Sequence, residues 1–381
     1  MSRRTVFVLG LVLAAVVSLP TFAADLIRIG AIFAVTGPAA NLGLPESRTL
    51  QMLVDEANAS GGILGRKIEL IVKDSQGNTE KAVSFAKQLV EESQVLAIIG
   101  PTTSGESMAL KGYADQNEQI LISCAAAETI VKPVAQWVFK TPQMDSFAAQ
   151  AIFTTMTKLG ISRIGAVVSN TGFGQGGKAQ LEKLAPQNGL TVAITEVYDS
   201  TATDLTAVLA KVKAQNVQAV VNWSVEPAQS LVPKNMKQMG FDVPLFQSHG
   251  FGNIAYVTAA GKAADGIIFP AGRLLVADVL PASHPQKQVL AAYKKAYEAK
   301  FHEDVSTFGG HAYDAFLILK EAIRKAGGTD KFKVRDAIEG LKGLVGTAGV
   351  FNFSPEDHNG LTMDSFEMLT VKNGQFALYG K

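Results

Sequence analysis

One cysteine, Cys124, stands alone in 381 residues, which excludes an intrachain disulfide framework and any cysteine-cluster metal site. Charge is sparse too. Asp, Glu, Lys and Arg make up 18% of the chain, below the roughly 25% usual for soluble domains. The 35 Lys+Arg balance 34 Asp+Glu with no long basic run, so the chain carries no electrostatic footprint for nucleic acid. There is no Walker A sequence, no H-E-x-x-H and no G-x-S-x-G elbow, and none of the five histidines has a histidine four residues away. His302-Glu303-Asp304 has the wrong spacing for metal on a helix. No enzyme, cofactor or bound metal is expected.

Apolar residues are plentiful, at 47%, which argues against disorder. The length exceeds the roughly 250–300 residues that one core usually serves, so two lobes are expected. At the N-terminus, Arg3 and Arg4 precede the apolar run Val6–Val17, which Pro20 breaks before the small residues Thr21 and Ala23. That is the layout of a secretory signal peptide over 1–24; a membrane span needs about 20 apolar residues. Further on, the longest uncharged stretch, Val243–Gly261, is interrupted by Pro244, Gln247, His249, Gly250 and Asn253. The product is expected to be exported to the periplasm, not membrane-embedded, and monomeric.

Short apolar runs alternate with helical patterns along the chain. Strands are predicted at Leu26–Val35, Lys67–Lys73, Val95–Ile99 and Ile120–Ser123, with helices at Pro45–Asn58 and Thr79–Glu92. After Pro142 the alternation restarts, with helices at Ser146–Leu159 and Gly176–Ala185 and strands at Ile164–Ser169, Thr191–Val197, Ala219–Trp223 and Leu245–Ser248. Continuous apolar strands joined by helices predict α/β lobes with doubly wound parallel sheets covered on both faces, the second half repeating the first. Ligands of such sheets bind beyond the carboxyl ends of the strands. The segments to inspect are Pro101–Gly105, Cys124–Glu128, Asn170–Gln175, Trp223–Glu226 and His249–Asn253.

Gly172-Phe173-Gly174-Gln175-Gly176-Gly177 satisfies G-x-G-x-x-G. Its long turn and the absence of NAD from an exported setting favour a glycine-rich loop presenting Phe173 over a dinucleotide site. Cys124 follows a strand and reads as a small buried residue, with a nucleophile as the alternative. Gly100–Gly105 joins a strand to a helix, so its N–H groups and the Thr102, Thr103 and Ser104 hydroxyls suit an anion, with ordinary capping as the alternative. Phe173, Trp223 and Phe251 stand at strand tips and suit a flat apolar ligand; each also fits a core.

A set of local patterns then resembles the Leu/Ile/Val-binding periplasmic proteins, the type I substrate-binding proteins of ATP-binding-cassette importers. It comprises Ile29 through Gly37-Pro38, Asp55-Glu56-Ala57-Asn58, Gly61-Gly62-Ile63-Leu64-Gly65, Asp74-Ser75, Ile99-Gly100 and Tyr313-Asp314-Ala315. The resemblance implies two lobes joined by three crossings, near Thr141–Asp145, Pro270–Leu275 and Val350–Ser354. Lobe 1 would comprise 25–142 and 274–351, and lobe 2 143–273 and 352–381. It also implies a small-molecule carboxylate ligand and an inner-membrane permease as partners. The family's carboxylate-binding serine falls on Ser104, beside Thr102 and Gly105. Further contacts fall on Ala125 and Ala127, and the ring-stacking tyrosine on Phe173. The acidic residue that holds a ligand ammonium falls on His249, beside Gly250. Imidazole is a poor partner for an ammonium, so an aromatic acid is the expected ligand, with His249 at its distal polar group and Trp223 and Phe251 on its body. A branched-chain amino acid, with Glu226 or Asp145 taking the amine, is the alternative within the class. A sensor docking to a membrane receptor is the alternative outside it.

Overall fold

The structure, a computed structural model, describes residues 26–380; the expected signal peptide lies outside them. The first half runs β1 (Ile27–Phe33), α1 (Ala40–Ala59), β2 (Ile68–Asp74), α2 (Thr79–Lys87), β3 (Ala97–Ile99), α3 (Ser104–Gln116), β4 (Ile120–Ser123) and β5 (Val138–Lys140). Its five strands are all parallel, in the order β2-β1-β3-β4-β5. Ile29, Ala31, Ile99 and Ile122 are all but fully buried, as expected of strands covered on both faces.

The second half runs α4 (Asp145–Lys158), β6 (Arg163–Ser169), α5 (Gly172–Leu184), β7 (Thr191–Tyr198), α6 (Thr206–Lys213), β8 (Ala219–Trp223), α7 (Leu231–Gln238), β9 (Leu245–Gln247), α8 (Ile254–Ala260) and β10 (Ile268–Ala271). Its sheet order is β7-β6-β8-β9-β10, so the two sheets share one winding. Two antiparallel strands, β13 (Glu367–Lys372) and β14 (Gln375–Leu378), extend the second sheet beyond β10. The internal repeat is therefore real at the level of topology. In both sheets the winding reverses beside the first strand, between β1 and β3 and between β6 and β8, which is where such sheets leave a crevice.

Between β10 and β13 the chain returns to the first sheet. It forms α9 (Lys287–Phe301), α10 (Thr307–Ala326), α11 (Lys331–Glu339) and the short pair β11 (Leu344–Val345) and β12 (Val350–Phe351). Helix α10 packs on α1 through Ala312, Ala315, Phe316, Leu319 and Ile323, a stripe at helical spacing. On the same helix, buried Asp314 accepts hydrogen bonds from the Thr347 N–H at 2.6 Å, the Thr347 hydroxyl at 3.0 Å and the Ala348 N–H at 2.8 Å. Phe351, Phe353 and Leu361 belong to the first core and Phe366 to the second.

Two helix starts differ from expectation, and both matter for the site. Helix α1 begins at Ala40, five residues before Pro45. Proline lacks an N–H, so the carbonyl four residues earlier has no intrahelical donor. Asn41 O instead accepts from Asn253 Nδ2 in the second half, at 2.8 Å. Helix α5 begins at Gly172 rather than Gly176, so the glycine-rich segment is helix, not loop. Its glycines permit close packing. A Cβ at Gly174 would lie 2.0 Å from Ser169 O, and one at Gly177 2.2 Å from the Trp223 ring.

Candidate functional site: a cleft between two sheets

A cavity of about 330 Å³ lies where the carboxyl ends of the two sheets face each other. The first half lines it with Thr102, Thr103, Ser104 and Gly105 after β3 and with Cys124 and Ala125 after β4. The second half adds Thr171, Gly172 and Phe173 after β6, Val225 and Glu226 after β8, and His249 and Gly250 after β9. Every segment is a strand tip, so the strand-tip rule located most of the wall.

Helix α3 starts with a reciprocal cap. Glu106 N–H donates to Thr103 Oγ1 and Thr103 N–H to Glu106 Oε2. That leaves the first-turn N–H groups of Ser104 and Gly105 without helical acceptors. At the start of α5, Thr171 Oγ1 caps Gly174 N–H at 3.4 Å, leaving those of Gly172 and Phe173. The two N-termini meet head-on: a Cβ built on Gly172 would lie 2.9 Å from Gly105 N and 3.1 Å from its Cα. Two positive helix ends thus border one cavity, an arrangement that favours a bound anion.

Eight of the eleven residues expected at the site border this cavity, but the structure reassigns several. The Thr102 hydroxyl is not free to bind: it accepts from Ala34 N–H at 3.0 Å and donates to Glu46 Oε2. Ala125 N–H donates to Ser123 Oγ at 3.1 Å. Ala127 lies outside the lining, and its N–H donates to Ser104 Oγ at 3.2 Å. The Ser104 hydroxyl keeps its own proton to offer.

Trp223 and Phe251 do not reach the cavity. Trp223 sits beneath α5, against the space that Gly177 leaves. Phe251 packs in the second core, stacked on Tyr256 (ring centroids 6.0 Å) and edge-on to Phe269 (5.3 Å) and Phe376 (6.4 Å). Both face inward because the sheet core competes for large rings at strand ends. Phe251→Ala is therefore expected to destabilise the protein by about 3–5 kcal/mol while leaving ligand affinity unchanged. Chemical denaturation and a ligand titration on the same variant measure both.

Phe173 does line the cavity, with its ring 5.9 Å from Trp223 and 5.3 Å from His249. His249 borders the cavity as well, but both its ring nitrogens are sealed and without a hydrogen bond; Nε2 lies 3.6 Å from Asp145 Oδ1. Burial, reinforced by nearby Lys140, pushes the imidazole well below its usual pKa, so it is neutral. Glu226 presents a carboxylate whose Oε2 accepts from the Ser224 hydroxyl at 2.6 Å and Val225 N–H at 3.2 Å. Burial holds the Cys124 thiol well above its usual pKa, which removes the nucleophile alternative.

Several lining residues escaped the sequence reading. Gln76 and Gly77 follow β2, and Ser200 follows β7. Phe308 and His311 come from α10, far away in the chain. A histidine on the apolar face of a helix was the available signal for the last. Among the described residues, no cluster of three or more His, Cys, Asp or Glu is placed to hold a metal, and no helix is long and apolar enough to cross a membrane.

The family model described as periplasmic binding protein matches residues 26–375. A leucine-, isoleucine-, valine-, threonine- and alanine-binding protein from Pseudomonas aeruginosa is 25% identical over 319 residues, covering 84% of this chain and 83% of that one. Among solved structures, an extracellular ligand-binding receptor from Rhodopseudomonas palustris HaA2 superposes with a TM-score of 0.88 at 28% identity, covering 93% of this chain and 99% of that one. A branched-chain amino acid transporter substrate-binding protein from Streptococcus pneumoniae, in complex with isoleucine, gives 0.81 at 28% identity, covering 92% and 98%.

Proposed function

This chain belongs to the periplasmic binding protein family, as a type I substrate-binding protein of ATP-binding-cassette importers and not an enzyme, and from that premise we propose that it captures a small aromatic carboxylate in the periplasm for delivery to an inner-membrane permease. The observation that carries the ligand class is the head-on meeting of α3 and α5 at the cavity, with Gly105 N–H and Gly172 at closest approach. The carboxylate receives the N–H groups of Ser104, Gly105, Gly172 and Phe173 and the Ser104 hydroxyl. Such a set replaces the water that a buried anion loses.

The aromatic body follows from the rings that border the cavity: Phe173 and Phe308, with the imidazoles of His249 and His311. A volume of about 330 Å³ is at the small end of ligand sites and suits a benzoate- or cinnamate-like acid. The lobes close on it by hinge motion, with wall contacts complete only in the closed form. We place the third crossing between Leu361 and Phe366, where core membership changes, later than the Val350–Ser354 expected from the sequence, which makes lobe 1 26–142 and 274–361 and lobe 2 143–273 and 366–380. Residues 1–24 act as the export signal.

A branched-chain amino acid is the second reading. Glu226 at the cavity favours it, because its Oε1 can face an ammonium, and so do the names of the relatives. Calorimetric titration of protein freed of carried ligand by unfolding and refolding separates the two. Heat from 4-hydroxybenzoate and none from leucine is expected, with Glu226→Gln changing aromatic-acid affinity by less than about 0.5 kcal/mol. Heat from leucine that Glu226→Gln weakens by about 2–5 kcal/mol would overturn the aromatic reading in favour of the second.

A further inference from the structure

Two imidazoles at the cavity lack a hydrogen-bond partner, His249 and His311, and the one with a nitrogen left open is not the one the sequence singled out. His311 lies in the second turn of α10. Its main-chain carbonyl accepts from Thr141 Oγ1 at 3.0 Å, which ties this turn to the first passage between the lobes. The side chain is edge-on to Phe308, ring centroids 6.4 Å apart, and the residue is only 7% exposed. Nδ1 is sealed and unpartnered. Nε2 has no hydrogen bond to any described residue and, unlike Nδ1, is not sealed. His311 also borders a void of about 10 Å³, which admits at most one water. An organic ligand therefore meets the ring only from the large cavity.

Burial and nearby Lys140 pull this imidazole down to about 3, so it carries one N–H and one lone pair at any working pH. His249 does not compete for a ligand, because its nitrogens are closed off beside Asp145. A neutral polar group left unpaired in a closed cleft is unfavourable, and a ligand oxygen relieves it. A second carboxylate is a poor match, since a neutral imidazole offers no opposing charge.

We infer that His311 is a selectivity residue whose Nε2 exchanges a hydrogen bond with an oxygen on the body of the bound acid, so that the site prefers a carboxylate bearing a second, uncharged oxygen (phenol, hydroxyl or carbonyl) over its deoxy counterpart. This rests on the aromatic-carboxylate reading above.

The test compares benzoate with 4-hydroxybenzoate on refolded full-length exported protein, as wild type, His311→Leu and His311→Gln. The wild type prefers the hydroxylated acid by roughly tenfold or more. His311→Leu collapses that ratio to near unity, and His311→Gln, which keeps a donor and an acceptor, retains most of it. A ratio that survives in His311→Leu overturns the assignment. So that the result does not hang on a variant folding, the Nε2 resonance of His311 is followed in 15N-histidine-labelled wild type. It shifts with 4-hydroxybenzoate and far less with benzoate. An Nε2 signal indifferent to 4-hydroxybenzoate while calorimetry records binding also overturns the assignment. Silence of the wild type towards both acids overturns the aromatic-carboxylate reading itself, and the His311 role with it.

Discussion

Gly172→Ala is expected to weaken ligand binding roughly a hundredfold while leaving thermal stability unchanged or slightly higher. The new Cβ would sit 2.9 Å from Gly105 N, 3.1 Å from Gly105 Cα and 2.8 Å from Met108 Cε. Two of those three atoms belong to backbone of the opposite lobe, which has no rotamer to escape into. Overpacking of this kind costs about 1–3 kcal/mol, and the upper end corresponds to about a hundredfold in affinity. On the hinge-closure reading, the clash exists only when the lobes are closed. In the open protein residue 172 is the first position of α5, its φ is ordinary for an L-residue, and alanine favours a helix over glycine by up to about 1 kcal/mol. Stability and closure should therefore separate. Calorimetry and small-angle scattering with and without ligand measure the effect; a variant that binds as tightly as wild type and compacts normally would show that α3 and α5 do not meet in the bound state.

Asp145→Asn should destabilise the folded protein by about 3 kcal/mol, and adding Lys140→Met should recover most of the loss. Lys140 is fully buried at the end of β5, its Nζ donating to the carbonyls of Ala126 and of Gln143, the latter at 3.1 Å. Asp145 opens α4 just beyond, accepting Glu128 N–H at 3.3 Å through Oδ2. Each feels the other's charge: burial lowers Lys140 and raises Asp145, and each partner opposes the other's shift. Removing one charge strands the other in the interior, at about 3–5 kcal/mol for a close pair; the lower end is used because no direct Nζ–carboxylate contact is made.

The pair also has a pH signature. A carboxyl raised above its unfolded value stabilises in acid, and that contribution is lost as pH rises through its folded titration. An ammonium lowered below its unfolded value stabilises in alkali, and that contribution is lost as pH falls through its folded titration. The penalty is fullest between the two. The stability of the charge-free double variant relative to wild type should therefore be highest near neutrality and fall on both sides. Denaturation of both proteins at a series of pH values measures it, and a difference flat across the range would exclude the pair as its source.

Local pattern carried much of this. The strand-tip rule works because a doubly wound sheet sends each strand's carboxyl end to one edge, whatever its side chains. Strand β8 has the bounds its apolar run predicts, Ala219–Trp223, and the second sheet repeats the winding of the first. Errors arose where a partner distant in sequence decided the outcome. The start of α1 at Ala40 depends on Asn253, which takes the carbonyl that Pro45 orphans. The helical start of α5 depends on the three surfaces that press against Gly172, Gly174 and Gly177.

What the sequence by itself determined is the α/β class, the two similar halves and the loops that surround the ligand, because apolar periodicity and strand-to-helix alternation are local properties. Tertiary structure decided which groups on those loops remain available. It occupied the Thr102 hydroxyl with Glu46, gave the Ala125 and Ala127 N–H groups to Ser123 and Ser104, and drew Trp223 and Phe251 into the core. It also turned His249 towards Asp145 and brought His311 in from a helix more than sixty residues away. A hydrogen-bonding group in the interior is claimed by whichever partner packing sets beside it, and that partner is not written in its neighbourhood in the chain.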